Sequence, residues 1–306
     1  MKMSIITTMY CSRNYLQEFY DRTILVLKEL KMTYEFIFVD DGSPDDSLLV
    51  ALGLQNSDSN IKIIELSRNY GHQRAIMTGL QHASGDFVFL IDCDLEEAPE
   101  LLNDFWREMT AQATVDVVYG VQIKRKGSWF ERLSGRLFYK VVSALSSVKY
   151  PANTLTARVM SRSYVDSILR FKEKELDLWS VFALVGFNQL ALPVKKGYKG
   201  ISTYTFRKKL KRAFEIITSF SHRPLYFTFI LGIVCFIFAL INISVIVYKK
   251  IVLNTEVEGW TSIIASIWFV GGMILLVLGV FGIYLSKMFL EIKNRPLTII
   301  KNVFCK

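Results

Sequence analysis

Phe87-Val88-Phe89-Leu90-Ile91-Asp92-Cys93-Asp94-Leu95-Glu96-Glu97 is the stretch that decides the fold. Five apolar residues that end in an acidic run read as a short buried strand with carboxylates at its exit. Similar β-branched or aromatic runs occur upstream at Met3–Met9, Tyr34–Val39 and Ile61–Leu66, and downstream at Val115–Gln122. Between them lie stretches with helical spacing, such as Tyr15–Leu30 (Leu16, Phe19, Tyr20, Thr23, Leu27, Leu30) and Gly71–His82. This alternation predicts an α/β fold with a mostly parallel, Rossmann-like sheet, covered on both faces and receiving ligands where the strands end. A second acidic turn, Val39-Asp40-Asp41-Gly42-Ser43-Pro44, ends another of those strands. Farther along, a helix is expected over Ser161–Phe171 and a strand over Val185–Val194.

Carboxylates gathered at strand exits repel one another unless a ligand or cation joins them. An Asp-x-Asp in that position suits Mg²⁺ or Mn²⁺ held against a diphosphate, because hard cations take a few carboxylate oxygens and complete their shell with phosphate and water. Other site chemistries lose support. There is no G-x-G-x-x-G after the first strand, no G-x-x-x-x-G-K-[ST] and no G-x-S-x-G. Cys11, Cys93, Cys235 and Cys305 are scattered, and His72, His82 and His222 do not pair at ligand spacing, so neither a disulfide framework nor a histidine zinc site is expected.

The 306 residues are 51% hydrophobic and 21% charged, with a net charge of +9 and a mean hydropathy of +0.29. Two kinds of sequence are averaged in these values. Pro224–Tyr248 is 25 residues without a charge, and Gly259–Ser286 is 28. Each exceeds the roughly 20 apolar residues of a membrane-spanning helix. Lys195–Arg212 carries +8 and Lys124–Lys140 carries +5, which leaves −4 for the rest of the chain. Phe206, Leu210, Ala213, Phe214 and Ile217 share one face of a helix whose remainder is basic, the pattern of an amphipathic helix in the membrane interface. Basic charge that leads into a span suits an anionic lipid and argues against a nucleic-acid partner. Gly271, Gly272, Gly279 and Gly282 give the second span small residues for close packing, within the hairpin or in a homo-oligomer.

The expected organisation is therefore a domain over 1–205, a juxtamembrane amphipathic helix over 206–223, transmembrane helices at about 225–248 and 260–286, and a tail over 287–306. The N-terminus, MKMSIITTMY, lacks the apolar core of a signal peptide. Basic residues flank both spans on one side, and the positive-inside rule puts the first domain and the tail in the cytoplasm, with the connector outside.

Ser4-Ile5-Ile6, Val39-Asp40-Asp41-Gly42-Ser43, Ser67-Arg68-Asn69-Tyr70-Gly71-His72-Gln73, and Asp92-Cys93-Asp94-Leu95 with Ala98-Pro99-Glu100 resemble the family 2 glycosyltransferases of GT-A fold. The subgroup resembled is the polyprenyl-phosphate transferases, of the bactoprenol glucosyltransferase and dolichol-phosphate mannose synthase type. The likeness continues through Gly120-Val121, Arg125, Arg132–Tyr139, Thr218-Ser219-Phe220-Ser221, Pro224-Leu225 and Lys293-Asn294-Arg295-Pro296-Leu297. It implies inverting transfer of a sugar from a nucleotide-sugar, UDP-linked, to undecaprenyl phosphate. It implies donor contacts from Thr7, Asp40, Asp41, Gly42, Ser43, Arg68 and Asp92, with Asp40 on the nucleobase. Asp94 and Glu96 would hold Mg²⁺ or Mn²⁺, with Asp92, Asp94, Arg125, Arg132 and Arg158 as catalytic residues. Arg125, Arg132, Ser134, Lys199 and Ser202 would grip the acceptor phosphate, for which forked guanidinium donors are suited.

The pattern departs in three places. Glu96 stands where the family commonly has Gln. The Gly-Asp-Phe-Arg signature is Leu155-Thr156-Ala157-Arg158, with Thr156 in place of the acid. Gly200-Ile201-Ser202-Thr203-Tyr204 lacks the family's Lys, for which Lys196 or Lys199 would substitute. A missing base damages an enzyme that must deprotonate a sugar hydroxyl, but matters less where the acceptor is an anionic phosphate. Two alternatives stand beside this reading: a family 2 transferase that elongates a lipid-linked glycan, whose hydroxyl acceptor would want a base, and a non-catalytic membrane partner that keeps the scaffold, to which Thr156 in place of the acid points.

Overall fold

The computed structural model describes residues 1–112, 114–122, 153–175, 177–194, 223–252 and 259–306. Within them the chain forms two compact units, the first made of the described parts of 1–139, 148–203 and 294–306, the second of those of 140–147 and 204–293.

The first unit is built on one sheet. Strands β1 (Lys2–Met9), β2 (Thr33–Asp40), β3 (Ile61–Leu66), β4 (Phe87–Leu90), β5 (Val117–Gln122), β6 (Thr154–Ser161), β7 (Gln189–Val194) and β8 (Ile300–Phe304) lie in the order β7-β5-β6-β4-β1-β2-β3-β8. β3, β2, β1 and β4 are parallel, and β7 is parallel to β5, while β6 and β8 run antiparallel to their neighbours. Alternate residues serve opposite faces. Ile5, Phe36 and Phe38 join one core with Leu16 and Phe19 of α1 (Leu16–Glu29), Ala51 and Leu54 of α2 (Ser47–Ser57), and Leu102 and Phe105 of α4 (Leu101–Ala111). Ile6, Ile37 and Val39 join the other with Ile76 and Leu80 of α3 (His72–His82), Tyr164 of α5 (Arg162–Ile168) and Val181 of α6 (Leu178–Leu184). Burial on both faces is what a parallel sheet between helical layers requires.

Three local expectations change. The helix expected over Ser161–Phe171 is only Arg162–Ile168, with Ser161 as its N-cap accepting from the Tyr164 N–H. The strand expected from Val185 starts at Gln189, because α6 fills 178–184 and Gly186 and Phe187 turn the chain with positive φ. The last residues, read as a tail, are instead the sheet's edge strand. β8 pairs with β3, Lys301 Nζ reaches Glu65 Oε1 at 2.6 Å, Asn302 Nδ2 donates to Glu65 Oε2 at 2.7 Å, and Gln55 Nε2 donates to the Phe304 carbonyl at 2.9 Å.

The second unit contains α7 (Arg223–Val252) and α8 (Trp260–Ile292). Leu225–Asn242 and Ser266–Ile292 are long and apolar enough to cross a membrane, and only 6% and 0% of these windows is buried within the protein. Phe227, Phe236, Phe238, Trp268, Leu275 and Leu285 all face outward, as helices that are apolar all round do in lipid. At 1.5 Å per residue each helix is about 45–50 Å long, more than the ~30 Å hydrocarbon core. The amphipathic segment 206–223 lies outside the described residues except for Arg223.

Candidate active site

β1, β2, β3 and β4 run the same way, so Met9, Asp40, Leu66 and Leu90 end on one edge of the sheet. β6 runs opposite to β4 and brings its first residues to that edge, and β5 ends there at Gln122. The acids quoted from the sequence therefore share that edge, with β1 between their strands. Arg125, Arg132 and Ser134 follow β5 but lie outside the described residues, as do Lys199 and Ser202.

The Asp40 and Asp41 turn is shaped by its neighbours. Asp41 accepts from the backbone N–H of Tyr70 at 2.7 Å and of Gly71 at 3.0 Å, so its carboxylate holds the 67–71 loop. Gly42 has φ +64, and a Cβ there would lie 2.5 Å from the Arg68 carbonyl carbon; only glycine fits both constraints. Ser43 donates its N–H to Asp40 Oδ1 at 3.2 Å and its hydroxyl to Asp45, and accepts from the Cys11 N–H at 2.8 Å. Arg68 is exposed and stacks over Tyr70, 4.7 Å from the ring centroid.

Asp40 is 3% exposed and forms no ion pair among the described residues. Desolvation, with Glu65, Asp41 and Asp45 nearby, pushes its pKa up to about 6 although the Ser43 N–H opposes the shift. The folded state then keeps a proton that the unfolded chain has lost between the ordinary carboxylate value and about 6, so Asp40 lowers stability as pH rises through that window. Asp40→Asn is expected to be more stable than the parent at pH 7.5 by about 2–3 kcal/mol, with the gain absent near pH 3. Thermal unfolding at the two pH values checks this.

The second acidic turn leaves β4 through Asp92. Leu95 holds φ +62, a strained value for a side chain of its size, and the Glu96 N–H donates to Asp94 Oδ1 at 3.0 Å. Asp92, Asp94 and Glu96 are half-buried at the edge, whereas Glu97 turns inward and is 2% exposed. Its carboxylate accepts from the N–H groups of Thr156 at 3.2 Å and Ala157 at 2.6 Å. Asp92 accepts from the Thr156 hydroxyl at 2.8 Å, and its other oxygen lies 3.4 Å from His72 Nε2. Among the described residues no three His, Cys, Asp or Glu side chains converge as a complete metal cage. The donor set nonetheless fits a hard cation of the kind that takes one or two carboxylates and fills its shell from a diphosphate.

Two more of the expected site residues are buried. Thr7 is wholly buried within β1, and it is the half-exposed Thr8 whose hydroxyl stands at the edge, 3.0 Å from His72 Nδ1. Arg158 is 1% exposed and lies over Phe182 at 3.8 Å and Trp179 at 5.0 Å, donating to the carbonyls of Thr156 and Leu155. Burial draws its pKa down to about 10, so it stays charged at neutral pH. Residues without an expected role, His72, Thr8 and Glu97, supply much of the order around Asp92. Glu97 had a visible signal as the last acid of its run, and His72 as part of the Ser67–Gln73 motif.

The glycosyl transferase family 2 model matches residues 4–169, and the chain belongs to that family. It is a glycosyltransferase. A Mycobacterium tuberculosis protein described no further than as a glycosyltransferase is 42% identical over 304 residues, covering 99% of this chain and 89% of that one. A prophage-derived bactoprenol glucosyl transferase of Shigella flexneri is 30% identical over 305 residues, covering 98% of each. The fold is also that of a mannosyltransferase from Pyrobaculum calidifontis, solved with GDP-Man and Mn²⁺, at a TM-score of 0.50 and 17% identity over 95% of this chain and 86% of that one.

Proposed function

We propose that this protein transfers a sugar from a UDP-sugar to undecaprenyl phosphate at the cytoplasmic face of a bacterial inner membrane, with inversion at the anomeric carbon. The observation that carries this reading is the end-to-end match to a bactoprenol glucosyl transferase, which includes both apolar helices and the acidic edge. The route of the chain agrees with it. The polypeptide leaves the sheet unit, forms two apolar helices and returns as β8, so two crossings keep both flanks on one side. The basic stretches put that side in the cytoplasm.

Asp40 accepts from the nucleobase, and Asp92 faces the ribose or metal side of the donor. Asp94 and Glu96 hold the divalent cation, which when bound offsets the charge of the departing diphosphate. Arg125, Arg132, Ser134, Lys199 and Ser202 hold the acceptor phosphate, whose oxygen is already anionic and attacks without a base. Thr156 beside Asp92 agrees with that economy, since it carries a hydroxyl where a base for a sugar hydroxyl acceptor would be an acid.

Purified protein incubated with a panel of UDP-sugars, Mn²⁺ and undecaprenyl phosphate is expected to yield a single sugar on a lipid monophosphate, read by mass spectrometry. Extension of a lipid-diphosphate glycan in place of that product overturns the reading.

A further inference from the structure

Thr156 is placed with unusual care for a residue that departs from its family's pattern. The antiparallel register ends with Leu90 beside Arg158, and just past it Asp92 and Thr156 come within hydrogen-bond distance. The Thr156 hydroxyl donates to Asp92 Oδ2 at 2.8 Å. On the far side, Asp92 Oδ1 is 3.4 Å from His72 Nε2, and the other imidazole nitrogen is 3.0 Å from Thr8 Oγ1. One carboxylate is thus approached on both oxygens, from β6 and from the first residue of α3.

Behind Thr156 lies a clamp of two charged side chains. Glu97 accepts the backbone N–H groups of Thr156 and Ala157, and Arg158 donates to the carbonyls of Leu155 and Thr156 at 3.1 and 3.2 Å. Glu97 and Arg158 are 2% and 1% exposed. Opposite charges therefore grip adjacent peptide groups, and the strand can neither rotate nor slide at Thr156 without leaving buried polar groups unpaired.

We infer that Thr156 is a positioning residue: its hydroxyl sets the orientation of the Asp92 carboxylate before donor arrives, and the Glu97 and Arg158 clamp fixes that hydroxyl. An acid at this position would set two carboxylates against each other and require a proton or cation between them. A hydroxyl instead donates to the carboxylate and fixes the direction in which it points. The assignment rests on the proposed donor-pocket role of Asp92.

Thr156→Val keeps the shape and removes the donor, whereas Thr156→Ser keeps the donor. Calorimetric titration with UDP and Mn²⁺ is expected to show roughly tenfold or greater weakening for the Val variant and less than about threefold for the Ser variant. Equal weakening in both, or parent-like binding by the Val variant, overturns the assignment. A nucleotide-free crystal structure of the Val variant provides the second readout, with Asp92 expected to turn away from β6; an unmoved carboxylate also overturns it. If the parent itself binds no UDP, the donor reading fails, and the crystal structure alone decides the role of Thr156.

Discussion

Asp94→Ala is expected to lower sugar transfer by about three orders of magnitude while leaving the sheet folded. Asp94 lies one turn beyond a strand whose residues Val88, Phe89 and Leu90 are at most 1% exposed, so the variant disturbs the rim and not the core. What the fold loses is the acceptor for the Glu96 N–H, a bond worth about 1 kcal/mol. What the proposed reaction loses is the charged oxygen assigned to the divalent cation. Asp94→Asn separates the two effects, because an amide oxygen still accepts from Glu96 while the negative charge is gone. Both variants are expected to be inactive in a radiolabelled transfer assay, with the Asn variant nearer the parent in thermal stability. Transfer by Asp94→Asn at the parent's rate would remove Asp94 from the proposed cation site.

The parallel strands were legible in the sequence because short β-branched runs between helical stretches have few other interpretations, and the acids at their ends marked the site edge. Phase was not legible. β1 is buried on both faces, so Thr7 and Thr8 look equivalent in a continuous apolar run, and only the folded sheet shows that Thr8 faces His72. The enclosure of Arg158 was not legible for a related reason: Trp179 and Phe182, which lie over its guanidinium, come some twenty residues later in the chain. β8 was missed because Ile300–Phe304 pairs with a strand more than 230 residues away, and the side chains that secure it, Glu65 and Gln55, carry no local sign of that partner. The two apolar helices, by contrast, depend only on their own composition and needed no distant contact to be recognised.

Glu97→Ala is expected to be the most destabilising single change at the site, by about 3–5 kcal/mol. Its carboxylate satisfies the N–H groups of Thr156 and Ala157 where no water reaches, and each orphaned group costs about 1–3 kcal/mol. The same deletion removes a negative charge close to the buried Arg158 guanidinium, leaving a cation supported by carbonyls, aromatic faces and the charge of Asp92. The loss spreads because β6 is paired with β4 on one side and β5 on the other. A fall in melting temperature of roughly 10 °C is expected for a sheet unit of this size. Glu97→Gln should fall by less, since the amide oxygen accepts from one N–H group while its nitrogen faces the other as a second donor. Arg158→Met tests whether the clamp acts as a unit: if it does, Glu97→Ala combined with Arg158→Met costs less than the two single changes added together. Simple additivity would mean that the two charges stabilise β6 independently, and a Glu97→Ala protein as stable as the parent would mean that the inward turn at Leu95 serves some purpose other than holding this strand.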